Sequence, residues 1–284
     1  MVAAGTVACG DEALDPTMPC PDDPVEARGP FSTDRLATGF VTLTDVRDRT
    51  VDENGQRRRV DAGRIQAGFA DRSTVTSTPA QIMPLGLACF GLISRPVRSG
   101  QTRPLDMESV RVEGTARGEV VAPQTRSGTH VAAGDPLLGT GDESLRFVAT
   151  ATAADGFVSF DVMLDGLRGT VDLTTPDPSA PADLTQEAYP IRWAPAGADW
   201  VEIVVTPEGR DIDDGGQVVC RVADDGCFDL PAAATAFLLS GNVDHYTMSV
   251  ALHRYGALEP TDETFVGVEA VAQTRLTVDN GLFE

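Results

Sequence analysis

The sequence predicts an all-β protein: two antiparallel β-sandwich-type domains after a short disordered tether. Three observations carry that expectation. From Phe40 onward apolar residues recur with a period of two, as in strands with one buried face. Turn dipeptides punctuate the runs, at Asn54-Gly55, Asp155-Gly156, Asp165-Gly166, Asp225-Gly226 and Gly241-Asn242. No sustained amphipathic helix interrupts them, and many short strands with Gly and Pro turns build sandwiches or barrels.

Residues 1–8 are short and apolar and read as a residual signal-like segment. Residues 9–30 hold Pro16, Pro19, Pro21, Pro24 and Pro30 among acidic residues, the composition of a tether. Residues 31–174 form the first all-β domain, the more irregular of the two. Within it, Val158, Phe160, Val162 and Leu164 share one strand face, while Ser159 and Asp161 share the other with Phe157 and Met163. Thr174 to Asp183 contains three prolines, and residues 175–183 are expected to link the two domains.

Residues 184–284 form the second domain. Its strands are expected at Tyr189–Trp193, Trp200–Val205, Gln217–Val222, Cys227–Leu230, Tyr246–Arg254 and Phe265–Val278. Tyr246, Met248, Val250 and Leu252 share one face, opposite Thr247, Ser249 and His253. Val266, Val268, Ala270, Ala272, Thr274, Leu276 and Val278 share another, opposite Glu269, Gln273, Arg275 and Thr277. A short helix is expected at Pro231–Leu239, with Pro at its first position. The Trp193 strand followed by Trp-Val-Glu-Ile-Val-Val resembles an immunoglobulin-like or fibronectin type III-like sandwich, which implies a fold and carries no functional residue.

Near the start, Thr6-Val7-Ala8 runs into Cys9, followed by Gly10-Asp11-Glu12. Small apolar residues before one cysteine, then an acidic Pro-rich stretch, resemble the end of a bacterial lipoprotein signal peptide. That resemblance implies cleavage before Cys9, its lipidation and anchoring to the cell envelope. Gly10, where inner-membrane lipoproteins often carry Asp, leans towards the outer membrane or cell surface. Only Val2 to Ala8 precede Cys9, without the basic n-region of a full signal. With Cys9 lipidated, Cys20, Cys89, Cys220 and Cys227 remain, enough for two disulfides in an oxidising compartment. Four cysteines allow three pairings. A Cys20–Cys89 bridge would pin the tether to the first domain and stabilise by roughly 4 kcal/mol in the chain-entropy model. A Cys220–Cys227 bridge forms if a four-residue loop makes the two direct neighbours across a hairpin, and not if the turn centres on Asp225-Gly226.

The chain has 284 residues, 42% hydrophobic, with a formal net charge of −21 and no lysine. That length and hydrophobic content suit one large or two modest globular domains. The acidic balance argues against nucleic acid as a partner, since phosphate binding needs a basic footprint. The partners expected are a membrane, through the anchor alone, and an envelope protein or polysaccharide.

Several constellations hold candidate chemistry. Asp211, Asp213 and Asp214 precede Gly215-Gly216, so a calcium-binding loop and an acidic hairpin loop both fit. The twelfth position of an EF-hand counted from Asp211 is Val222, not Glu. No cofactor is expected beyond that calcium. Ala223-Asp224-Asp225-Gly226 reads as a tight turn. Arg57, Arg58 and Arg59 follow the Asn54-Gly55 turn, whose centring puts Asp52 opposite Arg57. They form either an anion- or glycan-binding ribbon or a solvated hairpin pairing with Asp45, Asp48, Asp52 and Asp61. Trp193 and Trp200 either stack on sugars or pack in the core. His245 and His253, on one strand, lie roughly 26 Å apart and cannot share a metal. Asp244-His245 has no Gly-x-Ser-x-Gly nucleophile elbow to serve. The function expected is therefore non-enzymatic, structural or recognition at the cell surface. A calcium- or glycan-binding module is the alternative, and an extracellular carboxylate-dependent hydrolase stands behind both.

Overall fold

A computed structural model describes residues 20, 24–25, 37–51, 56–71, 76–78, 80–94, 97–99, 102–152, 157–180, 182–208, 216–240 and 243–281. The chain is all-β. In order, its strands are β1 (Ala37–Arg49), β2 (Val60–Asp71), β3 (Thr76–Thr78), β4 (Gln81–Pro84), β5 (Cys89–Ser94), β6 (Val97–Ser99) and β7 (Arg103–Pro104). There follow β8 (Met107–Thr115), β9 (Gly118–Ala122), β10 (Gln124–Arg126), β11 (Thr129–Gly134), β12 (Leu145–Ala151), β13 (Phe160–Leu164) and β14 (Leu173–Thr175). Next are β15 (Asp183–Leu184), β16 (Tyr189–Trp193), β17 (Trp200–Pro207), β18 (Gln217–Val222), β19 (Cys227–Leu230), the helix α1 (Ala232–Leu239), β20 (His245–Thr261) and β21 (Thr264–Asn280).

The largest sheet has twelve strands among the described residues. Its order is β10-β11-β2-β1-β21-β20-β17-β18-β5-β4, with β15 on β21 and β7 on β2. Smaller sheets are β13-β12-β8-β9, β14-β16-β19 and β3-β6. Most pairs are antiparallel, while β1 and β15 run parallel to β21.

This topology corrects the expected division at 175–183. Strand β1 pairs with β21 from Ala37↔Thr264 to Arg49↔Leu276, and β5 pairs with β18. Both halves of the chain therefore build one sheet. The segment itself is built in: β14 pairs with β16, and β15 extends the edge of β21. The proline-rich stretch here joins two strands in different sheets of the same fold.

The alternation read from the sequence sets which face is buried. Val266, Val268, Ala270, Ala272, Thr274, Leu276 and Val278 are all within 1% of full burial, as are Met248, Val250 and Leu252 beside them. Val41, Leu43, Ile65, Val201, Ile203 and Val205 continue this core across the sheet. The four-stranded sheet packs on it through Phe157 and Phe160 against Phe69, with ring centroids 5.2 and 6.1 Å apart. Aromatic edges meeting at these distances add to area burial. A Cβ at Gly256 would lie 2.6 Å from Leu164, so β20 and β13 approach too closely there for a side chain. The three-stranded sheet shares this core through Ile191, Trp193, Phe228 and Leu230, and just before it Thr274 donates to the carbonyl of Val171. The expected helix forms one residue later, with Pro231 as its N-cap. The hydroxyl of Tyr246 donates to Leu238 O at its end.

Both disulfides depart from the favoured pairing. Cys20 bonds Cys227, and Cys89 bonds Cys220. After Val222 the chain turns and crosses from the large sheet to the three-stranded one, so β18 and β19 do not form a hairpin. Cys220 instead lies directly across from Cys89, with Cα atoms 4.1 Å apart. The two bonds place the folded chain in an oxidising environment. No helix among the described residues is long and apolar enough to cross a membrane.

Candidate ligand-binding trench

The face of the large sheet opposite the core carries the polar residues of the alternation. Strand pairing brings them into rows. Trp200, His253, Val271 and Thr44 are successive cross-strand neighbours, followed by Glu202, Ala251 and Gln273, then Val204, Ser249, Arg275 and Asp48. Except for the buried Trp200 and Asp48, these residues floor a trench of about 970 Å³. Its floor mixes hydroxyls, an amide and ion pairs. The Gln273 amide donates to Ser249 Oγ, and Gln217 donates to Thr206 Oγ1 at 2.9 Å. Thr247 donates to Glu208 at 2.8 Å, and Arg221 to Glu202 at 2.9 Å.

A histidine stands at each end, as the strand spacing requires. His245 bonds Asp279 at 2.8 Å, both half exposed. His253 Nδ1 bonds Glu269 Oε1 at 2.8 Å, with side chains only 12% and 11% exposed. The His253 ring stacks on Trp200 at 5.0 Å, 10° from parallel. His253 Nε2 and Trp200 Nε1 are buried without a hydrogen-bond partner among the described residues. Ser249 lies four residues along the same strand, about 13 Å from His253, beyond proton-transfer reach.

The sequence-predicted sites fall in different places. Cys9 and the calcium candidates Asp211, Asp213 and Asp214 lie outside the described residues. Among the described residues, no group of three or more His, Cys, Asp or Glu side chains converges as a metal site. Arg57, Arg58 and Arg59 are all exposed and line a hollow of about 270 Å³ with Arg49, Asp177 and Ser179. Val51, not Asp52, pairs with Arg57, because the hairpin keeps the register of Asp48↔Val60 and its connection is longer than a two-residue turn. Arg57 donates to the Ser179 carbonyl at 2.8 Å, Arg49 pairs with Asp61 at 2.7 Å and Arg58 approaches Asp48 at 3.6 Å. Asp177 is held below its ordinary range by the Ser179 hydroxyl and backbone N–H, so it stays anionic beside the arginines. Among the described residues Asp45 pairs with no arginine: its buried carboxylate accepts the backbone N–H groups of Leu137 and Leu138.

Both tryptophans are buried, each 4% exposed, Trp193 in the core and Trp200 on the opposite face of the sheet. Trp193 donates its indole N–H to Asp224 within the expected tight turn, and Trp200 underlies His253. His245 pairs with Asp279 rather than its neighbour Asp244. The sequence showed Ser249, His253, Glu269, Gln273 and Arg275 as polar faces of separate strands. It did not show that β17, β20 and β21 lie side by side, which is what makes those faces one floor. No protein-family model matches the chain, and no curated protein matches it.

Proposed function

We propose that this chain is an exported, non-enzymatic cell-envelope protein, lipid-anchored through Cys9, whose large sheet recognises an extended neutral glycan. The trench carries the recognition half of this reading. It is long and open, and lined by hydroxyl, amide and carboxylate groups that match the hydrogen-bonding pattern of a sugar chain. Glu202, Glu208 and Asp244 in its lining, together with a net charge of −21, disfavour an anionic polymer. The anchor half rests on Cys9 and on cysteine arithmetic: the other four cysteines are paired, which leaves Cys9 alone for modification.

Affinity electrophoresis through gels holding neutral polysaccharides tests the first half. Wild type should be retarded by one of them, and the Ser249→Ala, Gln273→Ala double variant should migrate at least tenfold less bound. Equal retardation of the two proteins would refute the trench as the site. Mass spectrometry of the mature N-terminus tests the anchor, and an unmodified Cys9 would overturn it.

A further inference from the structure

One end of the large sheet differs in chemistry from the rest of the molecule. From Ser73 to Ser94 the sequence has no charged residue, in a chain of net charge −21. The described part of this stretch includes the hairpin β4–β5, and β4 is the terminal strand of the sheet. All four residues of β4 are exposed. Ile82, Met83, Leu87 and Ile93 are 57%, 36%, 76% and 47% exposed, half of the large exposed hydrophobics among the described residues.

A second uncharged run, Leu230 to Val243, sits beside it. It contains α1, which packs on β5. At the hairpin bend, a Cβ on Gly86 would lie 3.1 Å from the Pro231 ring that starts the helix. The exposed helix positions are Ala232, Ala233 and Ala236, with no charge among them. A helix facing water ordinarily carries charged residues on that side. Hairpin and helix thus form one continuous uncharged, apolar end, of a kind that marks an interaction surface.

The N-terminal segment leaves the fold at this same end. Arg221 accepts the N–H of Val25 and donates its own N–H to Ala88 O, so Val25 and the hairpin bend flank one residue. Pro24 pairs with Val222, and Cys20 is bonded to Cys227, three residues before the Leu230 run. Ten residues, 10–19, separate Cys20 from Cys9. Fully extended they reach about 35 Å. An acyl anchor at Cys9 would hold this end within that distance of the bilayer.

We propose that the β4–β5 hairpin and α1 form a membrane-contacting face that seats the tethered protein on the lipid surface, with Leu87 at its tip. The proposal rests on the reading of Cys9 as the anchor. Its chemistry is that of interfacial apolar contact: exposed aliphatic side chains enter the acyl boundary, while the absence of carboxylates removes the repulsion that the rest of the acidic surface meets at a membrane. The trench, with its paired charges, is left to the solvent.

The test uses the full chain held by an N-terminal hexahistidine tag on phosphatidylcholine vesicles containing nickel-chelating lipid. Brominated phosphatidylcholine then reports which side chains reach the acyl region. The native tryptophans are buried, so Leu87→Trp adds an exposed reporter at the hairpin tip. Met163→Trp adds one on the four-stranded sheet, where Met163 is 65% exposed. Brominated lipid should quench the added emission of Leu87→Trp at least twofold and leave that of Met163→Trp unchanged. Equal quenching of both, quenching of neither, or protection of Trp at position 87 by dimerisation without lipid would each overturn the proposal. The nickel tether replaces the acyl chains, so an unmodified Cys9 in cells would sink the anchor reading without altering this result. An unquenched hairpin would sink the proposal and leave the anchor standing.

Discussion

The indole N–H of Trp193 donates to Asp224 at 2.7 Å, and the other oxygen of that carboxylate accepts the backbone N–H groups of Ala196 and Ala198 at 2.9 and 2.8 Å. One side chain thereby fastens the loop before β17 to the turn where the chain leaves the large sheet. Asp224→Ala would strand three donors, two of them on the backbone, each costing about 1–3 kcal/mol if left buried. A loss of about 3 kcal/mol or more is expected in urea unfolding. Asp224→Asn should lose less than Ala but more than a surface change, since its amide offers one oxygen where the carboxylate offers two. A loss under about 0.5 kcal/mol for Asp224→Ala, the range of surface substitutions, would contradict this role.

The disulfides predict a specific peptide map. Non-reducing digestion should yield Cys20 linked to Cys227 and Cys89 linked to Cys220. Any Cys220–Cys227 peptide would contradict the sheet assignment of β18 and β19. The loops span 131 and 207 residues and are nested, so closing one shortens the other. Taken alone, each would be worth about 5 kcal/mol in the chain-entropy model, and measured losses usually reach 2–5. The paired Cys89→Ala, Cys220→Ala variant should fall in that range by thermal unfolding, because it also removes the covalent tie between β5 and β18.

Legibility of the sequence follows from what each feature depends on. The faces of β20 and β21 were readable because alternation is local: a residue and the one two positions on share an environment whichever strand lies alongside. The pairing of β1 with β21 was not, since nothing in Ala37–Arg49 names a partner more than two hundred residues away. The same gap misassigned the disulfides, because Cys220 and Cys227 are close in sequence while their strands belong to different sheets. It also hid the trench, whose residues Glu202, Ser249 and Gln273 come from three strands. The tight turn at Asp224 was legible from composition, but its three hydrogen bonds were not.

Asp45 predicts a pH dependence. Burial raises its pKa, and the N–H groups of Leu137 and Leu138 only partly offset that. The folded value therefore lies above the unfolded one. Its contribution to stability is full below about pH 3.8 and is lost as pH rises through the folded value. Asp106, held down by the Ser127 hydroxyl and the Gly128 N–H, and Asp161, held down by Arg146, act oppositely. Their contributions are present above the unfolded value and lost as pH falls through the folded one. Asp45→Asn should remove only the first component. The melting temperature of wild type minus that of Asp45→Asn should decline from pH 4 upward, and a flat difference between pH 3 and 8 would refute the assignment.

Glu269 supplies the sharpest test at the trench. It is 8% exposed and faces His253 Nδ1, whose ring is sandwiched against Trp200. Glu269→Ala would leave a buried imidazole N–H unpaired and open a gap beside the indole, and a loss of about 2–4 kcal/mol is expected. Glu269→Gln keeps an oxygen for that N–H and nearly the same volume, so it should lose about 1 kcal/mol or less if the contact acts as a hydrogen bond. If Glu269→Gln instead costs as much as Glu269→Ala in urea unfolding at neutral pH, the carboxylate charge itself is what holds His253. The pair would then be a buried ion pair, in which an uncompensated charge is the main penalty of removing one partner. Near-wild-type stability for both variants would show that this end of the trench is held by Trp200 stacking alone.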